Sequence, residues 1–379
     1  MNKKEISEIK KQFTPSNCTI SRICGCYIDG EKEKKATIKE AFLSLPEEEM
    51  FKYFEIFRKN LSGTLGKNLV SLEFPLAAEN EGSAHDLLLR LRDTKLADDL
   101  LLDTFYDMIL ESIDIEGSFL ILLIHSSYDI PGKSTDGSEM FDASDEVYEY
   151  LLCTICPVKL TKPGLCYNAE AGTIQNRIRD WLVEFPVTGF LFPAFHDRSA
   201  DIHSLLFYSK DANLPQAHLI EDVLRCTLPL AASSQKETFN ALVEGTLGDG
   251  CDFEAVKAIH GQLAERLEEA KENPEPLTLS KAEVRSLLSE NGASEEQLAG
   301  FEKRYQETAG SDAPILASNI INSRKFEICT PDIVVQVKPE YAPMVETRLI
   351  DGRSCLVIPM EGQVEVNGIC IHTGLKNET

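Results

Sequence analysis

The stretch GFLFPAFHDRSADIHSLLFY at residues 189–208 contains two apolar runs joined by a short polar turn. The runs at 189–195 and 202–208 have the length and the aromatic and branched residues that are typical of strands. Because only a few polar residues separate them, they predict an antiparallel β-hairpin. The turn also holds the sharpest polar cluster in the chain, formed by His196, Asp197, Arg198, Asp201 and His203.

Other predicted strands also come in pairs. Residues 19–29 alternate between two strand faces, Asp29-Gly30 is a hairpin signal, and residues 35–39 supply the returning strand. Apolar strands are predicted at 119–125 and 150–158, and strand-like segments close the chain at 333–337, 345–350, 355–358 and 364–372. Strands in pairs, rather than in strict alternation with helices, predict an α+β fold with an antiparallel or mixed sheet and packed helices.

Helices are predicted between these strands. Pro46, followed by three glutamates, opens a helix whose apolar residues repeat at helical spacing. Helical patterns also occur at 85–113, 171–184, 216–226 and 234–243. Asp252 caps a long helix, and Ser280 and Ser294 each begin a capping box. Glutamate is frequent in these last helices, so residues 251–312 are predicted to form an acidic helical segment.

Charge and pattern divide the chain into four predicted parts. Residues 1–70 contain 13 Lys and Arg against 10 Asp and Glu, whereas the whole chain has a net charge of −24. We predict, in order, a basic N-terminal α/β segment, a central α+β domain, the acidic helical segment and a C-terminal β-rich segment that packs on the main body, at residues 1–76, 77–250, 251–312 and 313–379.

The net charge restricts the classes of partner. A strongly negative protein repels phosphate backbones and anionic lipid surfaces, which counts against a nucleic-acid binder or a membrane protein. Any nucleic acid would bind at the basic N-terminal segment, and the acidic surface suits a basic protein partner. The N-terminus lacks an apolar stretch of signal-peptide length, and the longest apolar run, at residues 119–124, is too short to cross a bilayer. A cytoplasmic location is therefore expected, while the oligomeric state is left open.

Eleven cysteines in a chain without an export signal predict reduced thiols. Two short-spaced pairs, Cys24 with Cys26 and Cys153 with Cys156, could supply four thiolates to a zinc ion. Both pairs lie in apolar strand patterns, where cysteine behaves as a small apolar residue. Buried reduced thiols are therefore the preferred interpretation.

The turn at residues 196–203 is the candidate catalytic site. Its two histidines and two aspartates could act as general acid and base or bind a metal ion, and Arg198 could hold an anion. Seven acidic residues between 129 and 149 could join them. The competing interpretation is a structural turn, because Asp and Ser close turns through hydrogen bonds from the side chain to the backbone. These residues do not indicate the identity of a metal or another cofactor.

The chain opens with MNKKEISEIKKQFTP and contains, further on, FLSLPEEEMFKYFEIFRKNLSGTLGKN, ICPVKLTKPGL, GFLFPAFHDRSADIH and VETRLIDGRSCLVIP. Together these stretches resemble a family defined as a domain of unknown function, from anaerobic Gram-positive bacteria. The resemblance covers nearly the whole chain and implies a cytosolic bacterial protein. It implies no activity, cofactor or catalytic residue.

Two functional hypotheses follow. The first is a non-catalytic binding or regulatory protein, because the sequence has no strong catalytic motif and its surface is acidic. The second is a metal-assisted hydrolase in which His196, Asp197, Asp201 and His203 surround a divalent ion that activates water. Whether the chain is an enzyme is not decided by the sequence.

Overall fold

The computed structural model describes residues 1–133, 139–213, 216–226, 230–309, 314–322, 325–359, 364–366 and 369–371, with the backbone alone described at 132–133, 139–145 and 366. The chain forms two compact units. The first consists of Met1–Ser233 together with Pro274–Pro276, and the second consists of Ser234–Asn273 and the described residues from Leu277 onward.

The described part of the first unit contains twelve strands and four α-helices. The strands are β1 (Arg22–Ile28), β2 (Lys34–Ala41), β3 (Leu69–Glu73), β4 (Ser118–Lys133), β5 (Glu139–Leu160), β6 (Leu165–Asn168), β7 (Thr173–Asn176), β8 (Trp181–Val183), β9 (Thr188–Phe192), β10 (Ala194–His196), β11 (Ser199–Asp201) and β12 (Ser204–Ser209). The helices are α1 (Lys3–Lys10), α2 (Glu47–Asn60), α3 (Ala84–Asp93) and α4 (Asp99–Ser112), with short 3₁₀ turns at Phe42–Ser44 and Leu76–Ala78 and a π-helical segment at His218–Val223.

Eight of these strands form one antiparallel sheet. Its order is β2-β1-β4-β5-β9-β12-β3, and β8 pairs with the end of β5. The structure therefore confirms the predicted α+β fold, and it confirms the antiparallel pairing of the apolar runs at 189–195 and 202–208. Strands that precede residue 76 pair in this sheet with strands that follow it, since β1 pairs with β4 and β3 pairs with β12.

Helices cover both faces of this sheet. Leu123 of β4 and Phe105 of α4 lie in one core, together with α3 and the π-helical segment. Leu122 of β4 and Phe57 of α2 lie in the other core, together with α1. Successive residues of β4 thus face opposite layers, as the two-residue period of a strand requires. This burial on both faces explains why β4, β5 and β9 are almost continuously apolar.

The helix predicted after Pro46 is confirmed. Pro46 is its N-cap, and the three glutamates that follow occupy the first turn, where the helix dipole favours negative charge. Phe54 and Phe57 are buried on its inner side, whereas Phe51 is 44% exposed.

The helix predicted at 171–184 is wrong. This region contains β7 and β8 instead. The Asn168 side chain accepts hydrogen bonds from the N–H groups of Glu170 and Ala171, and Gly172 has a positive φ of 60°. These two features close a tight turn between β6 and β7, and a hairpin therefore replaces the helix.

The described part of the second unit is helical at first and then consists of hairpins. Its helices are α5 (Ala232–Leu247), α6 (Phe253–Glu269), α7 (Lys281–Glu290), α8 (Glu295–Leu298), α9 (Phe301–Ala309) and α10 (Ala317–Ile320), with 3₁₀ turns at Gly248–Gly250, Ala270–Glu272 and Pro339–Met344. Its strands are β13 (Thr278–Leu279), β14 (Ile315–Leu316), β15 (Phe326–Cys329), β16 (Val334–Val337), β17 (Glu346–Ile350), β18 (Arg353–Val357), β19 (Val364–Val366) and β20 (Ile369–Ile371), which pair consecutively as two-stranded antiparallel sheets.

The predicted caps of this unit are confirmed. The Asp252 side chain accepts a hydrogen bond from the Ala255 N–H at the start of α6. Ser280 and Ser294 both form complete capping boxes, with Glu283 and Gln297 as the reciprocal partners. In the part of the chain that the structure describes, no helix is both long and apolar enough to span a bilayer.

Candidate functional site

The candidate turn is a tight hairpin at one end of the sheet. β10 and β11 are joined by Asp197 and Arg198, which have positive φ angles of 47° and 62°. Two left-handed residues are typical of the two-residue turns whose twist matches a hairpin. Aspartate is common at such positions, but an arginine with a positive φ is unusual.

Hydrogen bonds donated to acceptors on α1 and β4 hold this turn in place. The Asp197 N–H donates to Glu5 Oε1 at 2.9 Å. Arg198 donates to the Pro131 carbonyl oxygen at 2.9 Å and lies 3.5 Å from Glu8 Oε1. Glu8 Oε1 also accepts the Tyr128 hydroxyl at 2.5 Å. The guanidinium of Arg198 therefore already has partners within the first unit.

Three side chains at this turn could hold a cation. The potential ligand atoms of Glu5, His196 and Asp197 all lie within 4.8 Å of one another. One imidazole and two carboxylates form a suitable donor set for a divalent ion. However, Glu5 is buried and its Oε2 also accepts the Asn2 N–H at 2.7 Å. The side chains of His196 and Asp197 are 49% and 88% exposed, so the group lies at the surface.

The other two predicted site residues have different partners. His203 Nδ1 lies 2.7 Å from Glu79 Oε1, and this hydrogen bond raises the pKa of His203. Asp201 accepts the His203 N–H at 3.1 Å and the Ser204 hydroxyl, as a turn-closing aspartate does. Among the residues that the structure describes, the ligand set of His196 and Asp197 includes neither Asp201 nor His203. The structure therefore does not bring the four predicted ligands together.

The acidic stretch between 129 and 149 contributes little to the described site. Residues 134–138 lie outside the described residues, and the side chains of 139–145 are also not described. Residues 145–149, where the first turn of a short helix is the alternative interpretation, belong to β5. Glu149 pairs with Lys95 at 2.6 Å, and this contact lowers the pKa of Glu149.

The four cysteines of the two short-spaced pairs are buried thiols, and Cys156 is not in the core cluster that contains Cys24, Cys26 and Cys153. Burial raises the pKa of Cys24 and of Cys26 to about 11 and that of Cys156 to about 12, and it also raises the pKa of Cys153. Cys24 of β1 and Cys153 of β5 are both paired with Leu123 of the intervening β4. Their backbones are thus two strand spacings apart, about 9.5 Å. That distance is too wide for two thiolates that each bind zinc at about 2.3 Å.

A cavity of about 370 Å³ lies in the second unit, among α5, α6 and β15. Phe239, Val243 and Ile259 supply apolar walls, and Lys236, His260 and Glu327 supply polar ones. This volume is in the range of small-molecule sites, and the lining is divided about equally between apolar and polar groups.

The charged residues that line this cavity are Lys236, Lys325, Glu244 and Glu327. Glu327 pairs with Lys325 at 3.0 Å and accepts the Gln336 amide at 2.6 Å, and both contacts lower the pKa of Glu327. Within the described residues, Lys236 makes no hydrogen bond or ion pair. Burial, and then the Lys236 ammonium, lower the pKa of His260. The cavity is therefore lined by a neutral imidazole and by an ammonium that makes no direct ion pair, although the Lys236 charge also helps to lower the pKa of Glu327 from a longer distance.

Residues 1–369 match a family model described as Domain of unknown function (DUF4317). The chain belongs to this family. The match covers both units of the DUF4317 chain and confirms the resemblance seen in its sequence. A comparison with curated proteins returned no match. The DUF4317 name states no activity, so the function has to be argued from the geometry.

Sequence reasoning missed several residues of both sites in this DUF4317 chain. Glu5, Glu8 and Glu79 lie more than a hundred residues away from the turn that they contact. Lys236 and His260 are ordinary members of helical patterns, and only the packing of α5 and α6 against β15 brings them to one cavity. The sequence carries no local signal for either group.

Proposed function

We propose that the chain is a non-catalytic binding protein whose second unit holds a small organic anion. The observation that supports this proposal is the Lys236 ammonium at a cavity with both apolar and polar walls, where it makes no hydrogen bond or direct ion pair within the described residues. An unpaired charge favours a ligand group of opposite sign. A ligand with one anionic group and an apolar body would fit both parts of the lining.

The polar groups favour a carboxylate or a sulfonate. Lys236 would supply the charge, and the neutral imidazole of His260 could donate one hydrogen bond. Phe239, Val243 and Ile259 would contact the apolar body. Because Lys236 is exposed at the mouth of the cavity, its contribution is screened by solvent and amounts to about 1 kcal/mol.

Two fluorescent dyes with the same rings test the proposal. Anilinonaphthalene sulfonate carries an anionic group, whereas N-phenylnaphthylamine is neutral. We expect Lys236→Met to weaken binding of the sulfonate about fivefold, and to change binding of the neutral dye less than about twofold. Lys303→Met is the matched control, because Lys303 is an exposed lysine of α9 outside the cavity.

A second variant establishes where the dyes bind. Val256 lines the cavity from α6 and is only partly buried, so Val256→Trp should fill the space without unfolding the helix. Both dyes should then lose most of their affinity. Equal binding of the sulfonate to wild type, Lys236→Met and Val256→Trp would rule out this cavity as an anion site.

A basic protein partner is the second part of the binding hypothesis. It is supported by the net charge of −24 and stays a prediction. Pull-down from native lysate at low and moderate salt tests it. Electrostatic capture should weaken as the salt rises, and recovery of no partner under either condition would count against this role.

A metal-assisted hydrolase at the 196–203 turn is the second candidate function. It is supported by the proximity of Glu5, His196 and Asp197. A divalent ion there would lower the pKa of a bound water and produce a nucleophile near neutral pH. Metal analysis of the purified protein tests this candidate, with loss of the metal expected in His196→Ala. His203→Ala is the matched control, since His203 pairs with Glu79 instead. A metal-free wild type, or equal loss in both variants, would contradict it.

A further inference from the structure

Residues 160–183 form an extension of the first unit that we call the arm. It begins at the end of β5 and contains the β6–β7 hairpin and β8. Six large apolar side chains of the arm are between 58% and 78% exposed: Leu165, Tyr167, Ile174, Ile178, Trp181 and Leu182. Such a concentration of exposed apolar side chains marks an interaction surface.

Strand pairing and three further hydrogen bonds hold the arm in its conformation. The Arg177 N–H donates to the Gly164 carbonyl oxygen at 2.8 Å, and the Asp180 N–H donates to Thr161 Oγ1 at 3.1 Å. Arg179 Nε donates to the Thr161 carbonyl oxygen at 2.8 Å. An isolated two-stranded hairpin is at best marginally stable in water. The apolar side chains of the arm are therefore left for contact with another surface.

The exposed area is sufficient for a stable protein interface. A large apolar side chain presents about 200 Å² when it is fully exposed. On that basis the six side chains present on the order of 800 Å² over both faces of the arm, because Trp181 and Leu182 are successive residues of β8 and face opposite sides. A partner that contacts both faces would bury about as much as each side of a standard interface.

The charges of the arm indicate the partner. Its cations are Lys162, Arg177 and Arg179 and its acidic residues are Glu170 and Asp180, which gives a net charge of +1. Within the described residues none of the three cations pairs with a carboxylate. The whole chain has 62 acidic against 38 basic residues, so the rest of the molecule is strongly acidic. The body of a second copy of this chain therefore offers the carboxylates that these three cations lack.

We propose that the arm is a self-association element, in which the arm of one copy docks on the acidic body of a second copy. The contact is reciprocal, so each copy contributes its arm to one closed dimer. Apolar burial supplies most of the affinity, and the three cations orient the arm on the acidic surface. This surface is separate from the cavity of the second unit, and the inference does not depend on the proposed ligand.

The fluorescence of the full chain can be used to follow this contact, because Trp181 in the arm is its only tryptophan. Sedimentation velocity, from about 1 to about 100 μM protein, should show a species of twice 42.2 kDa. Acrylamide should quench Trp181 several-fold less in that species than at the lowest concentration, where the dimer dissociates.

Paired charge substitutions locate the interface. Ile178→Glu places a charge on the arm, where the side chain is 75% exposed in one copy. We expect it to weaken dimerisation at least about tenfold, because the carboxylate would be buried at the contact. Leu100→Glu is the matched control on α4, where the side chain is 80% exposed, and it should leave the dimer unchanged.

Three outcomes would overturn the proposal. A monomer with a freely quenched Trp181 at every concentration would mean that the arm stays exposed. A monomer with a shielded Trp181 would mean that the arm is covered by its own chain. A dimer that Ile178→Glu leaves as stable as wild type would mean that the copies associate through another surface.

Discussion

The backbone N–H of Asp197 donates a hydrogen bond to Glu5 Oε1 at 2.9 Å, although 192 residues separate the two in sequence. The second oxygen of the same carboxylate accepts the Asn2 N–H in the capping box of α1. Glu5 thus joins the first turn of the N-terminal helix to the tip of the β10–β11 hairpin. Any metal at this turn would have to share a carboxylate that already has two structural partners.

Glu5→Ala should lower the free energy of unfolding by about 1 to 3 kcal/mol, because it removes one half of a capping box and leaves the Asp197 N–H without its acceptor. Urea denaturation measures the effect. Glu55→Ala, on the exposed side of α2, should change stability by less than about 0.5 kcal/mol. Equal stability of the two variants would show that this hydrogen bond is not formed in solution.

Gly189→Ala should destabilise the first unit severely. A Cβ at this position of β9 would overlap Asn60 Oδ1 and the Cys153 carbonyl oxygen, and one of these is rigid backbone in the centre of the sheet. Overpacking of this kind costs about 1 to 3 kcal/mol or more. Gly164→Ala is the control, since a Cβ there meets nothing within 4 Å. A thermal scan of the two variants should show a lowered midpoint for Gly189→Ala only.

His125 should make the protein less stable in acid. It is 3% exposed, and within the described residues neither of its ring nitrogens has a hydrogen-bond partner. Burial, with Lys95 and Arg92, lowers the pKa of His125, while Glu149 opposes this effect. Below about pH 6.5 the unfolded chain therefore takes up a proton that the native state does not. The free energy of unfolding should fall by up to about 1.4 kcal/mol per pH unit until the native pKa is reached.

His125→Leu should remove that dependence. Urea denaturation at about pH 8, where His125 is neutral in both the native and the unfolded state, measures the effect of the substitution on stability apart from any protonation of the ring. At about pH 5.5 the free energy of unfolding of the variant should rise relative to that of wild type, because only the wild-type unfolded chain is stabilised by protonation of His125. An unchanged difference between the two pH values would mean that this ring is solvated or paired in the native state.

His203 should titrate above the usual range for histidine. Its hydrogen bond with Glu79 raises the pKa, so the interaction stabilises the native state below the unfolded pKa and is lost as the pH rises through the native one. An NMR titration of the ring protons should show this pKa falling in Glu79→Gln. Glu81→Gln, a nearby exposed substitution, should leave it in place.

The buried thiols should resist alkylation. Burial raises the pKa of Cys24 to about 11 and that of Cys226 to about 12, and both thiols are shielded from solvent. Only about 0.3% or less of such a thiol is ionised at pH 8.5, against about half of an ordinary one. Mass spectrometry after brief exposure to iodoacetamide should find Cys329 modified and Cys24 and Cys226 unmodified. Modification of all three at similar rates would contradict this packing.

Much of the fold could be predicted from local pattern. The hairpin at 189–208, the helix after Pro46 and the three caps at Asp252, Ser280 and Ser294 all rest on contacts between residues close in sequence. The helix predicted at 171–184 is wrong because contacts with residues outside this stretch decide its structure. Its apolar residues repeat as in a helix, yet the turn at Asn168–Gly172 and the free edge of β5 make them a hairpin and an edge strand.

The candidate sites could be predicted only in part. The polar turn was evident because its residues are consecutive, but its real partners Glu5, Glu8 and Glu79 come from distant helices and turns. Of the four predicted ligands, His196 and Asp197 lie together at the tight turn, whereas Asp201 and His203 lie at and after the end of β11 and are not in the same group. Strand geometry, and not sequence spacing, decides which side chains meet.

The sequence by itself determined the class of fold, the local caps and turns, the reduced state expected for the thiols and the acidic surface, because each depends on composition or on neighbours within a few residues. Only the tertiary structure decided the strand order, the division into two units, the cavity around Lys236 and His260, and the exposure of the arm. These depend on which distant segments pack together. The packing of distant segments is driven by the removal of apolar area of the whole chain from water, so no short stretch of sequence specifies it alone.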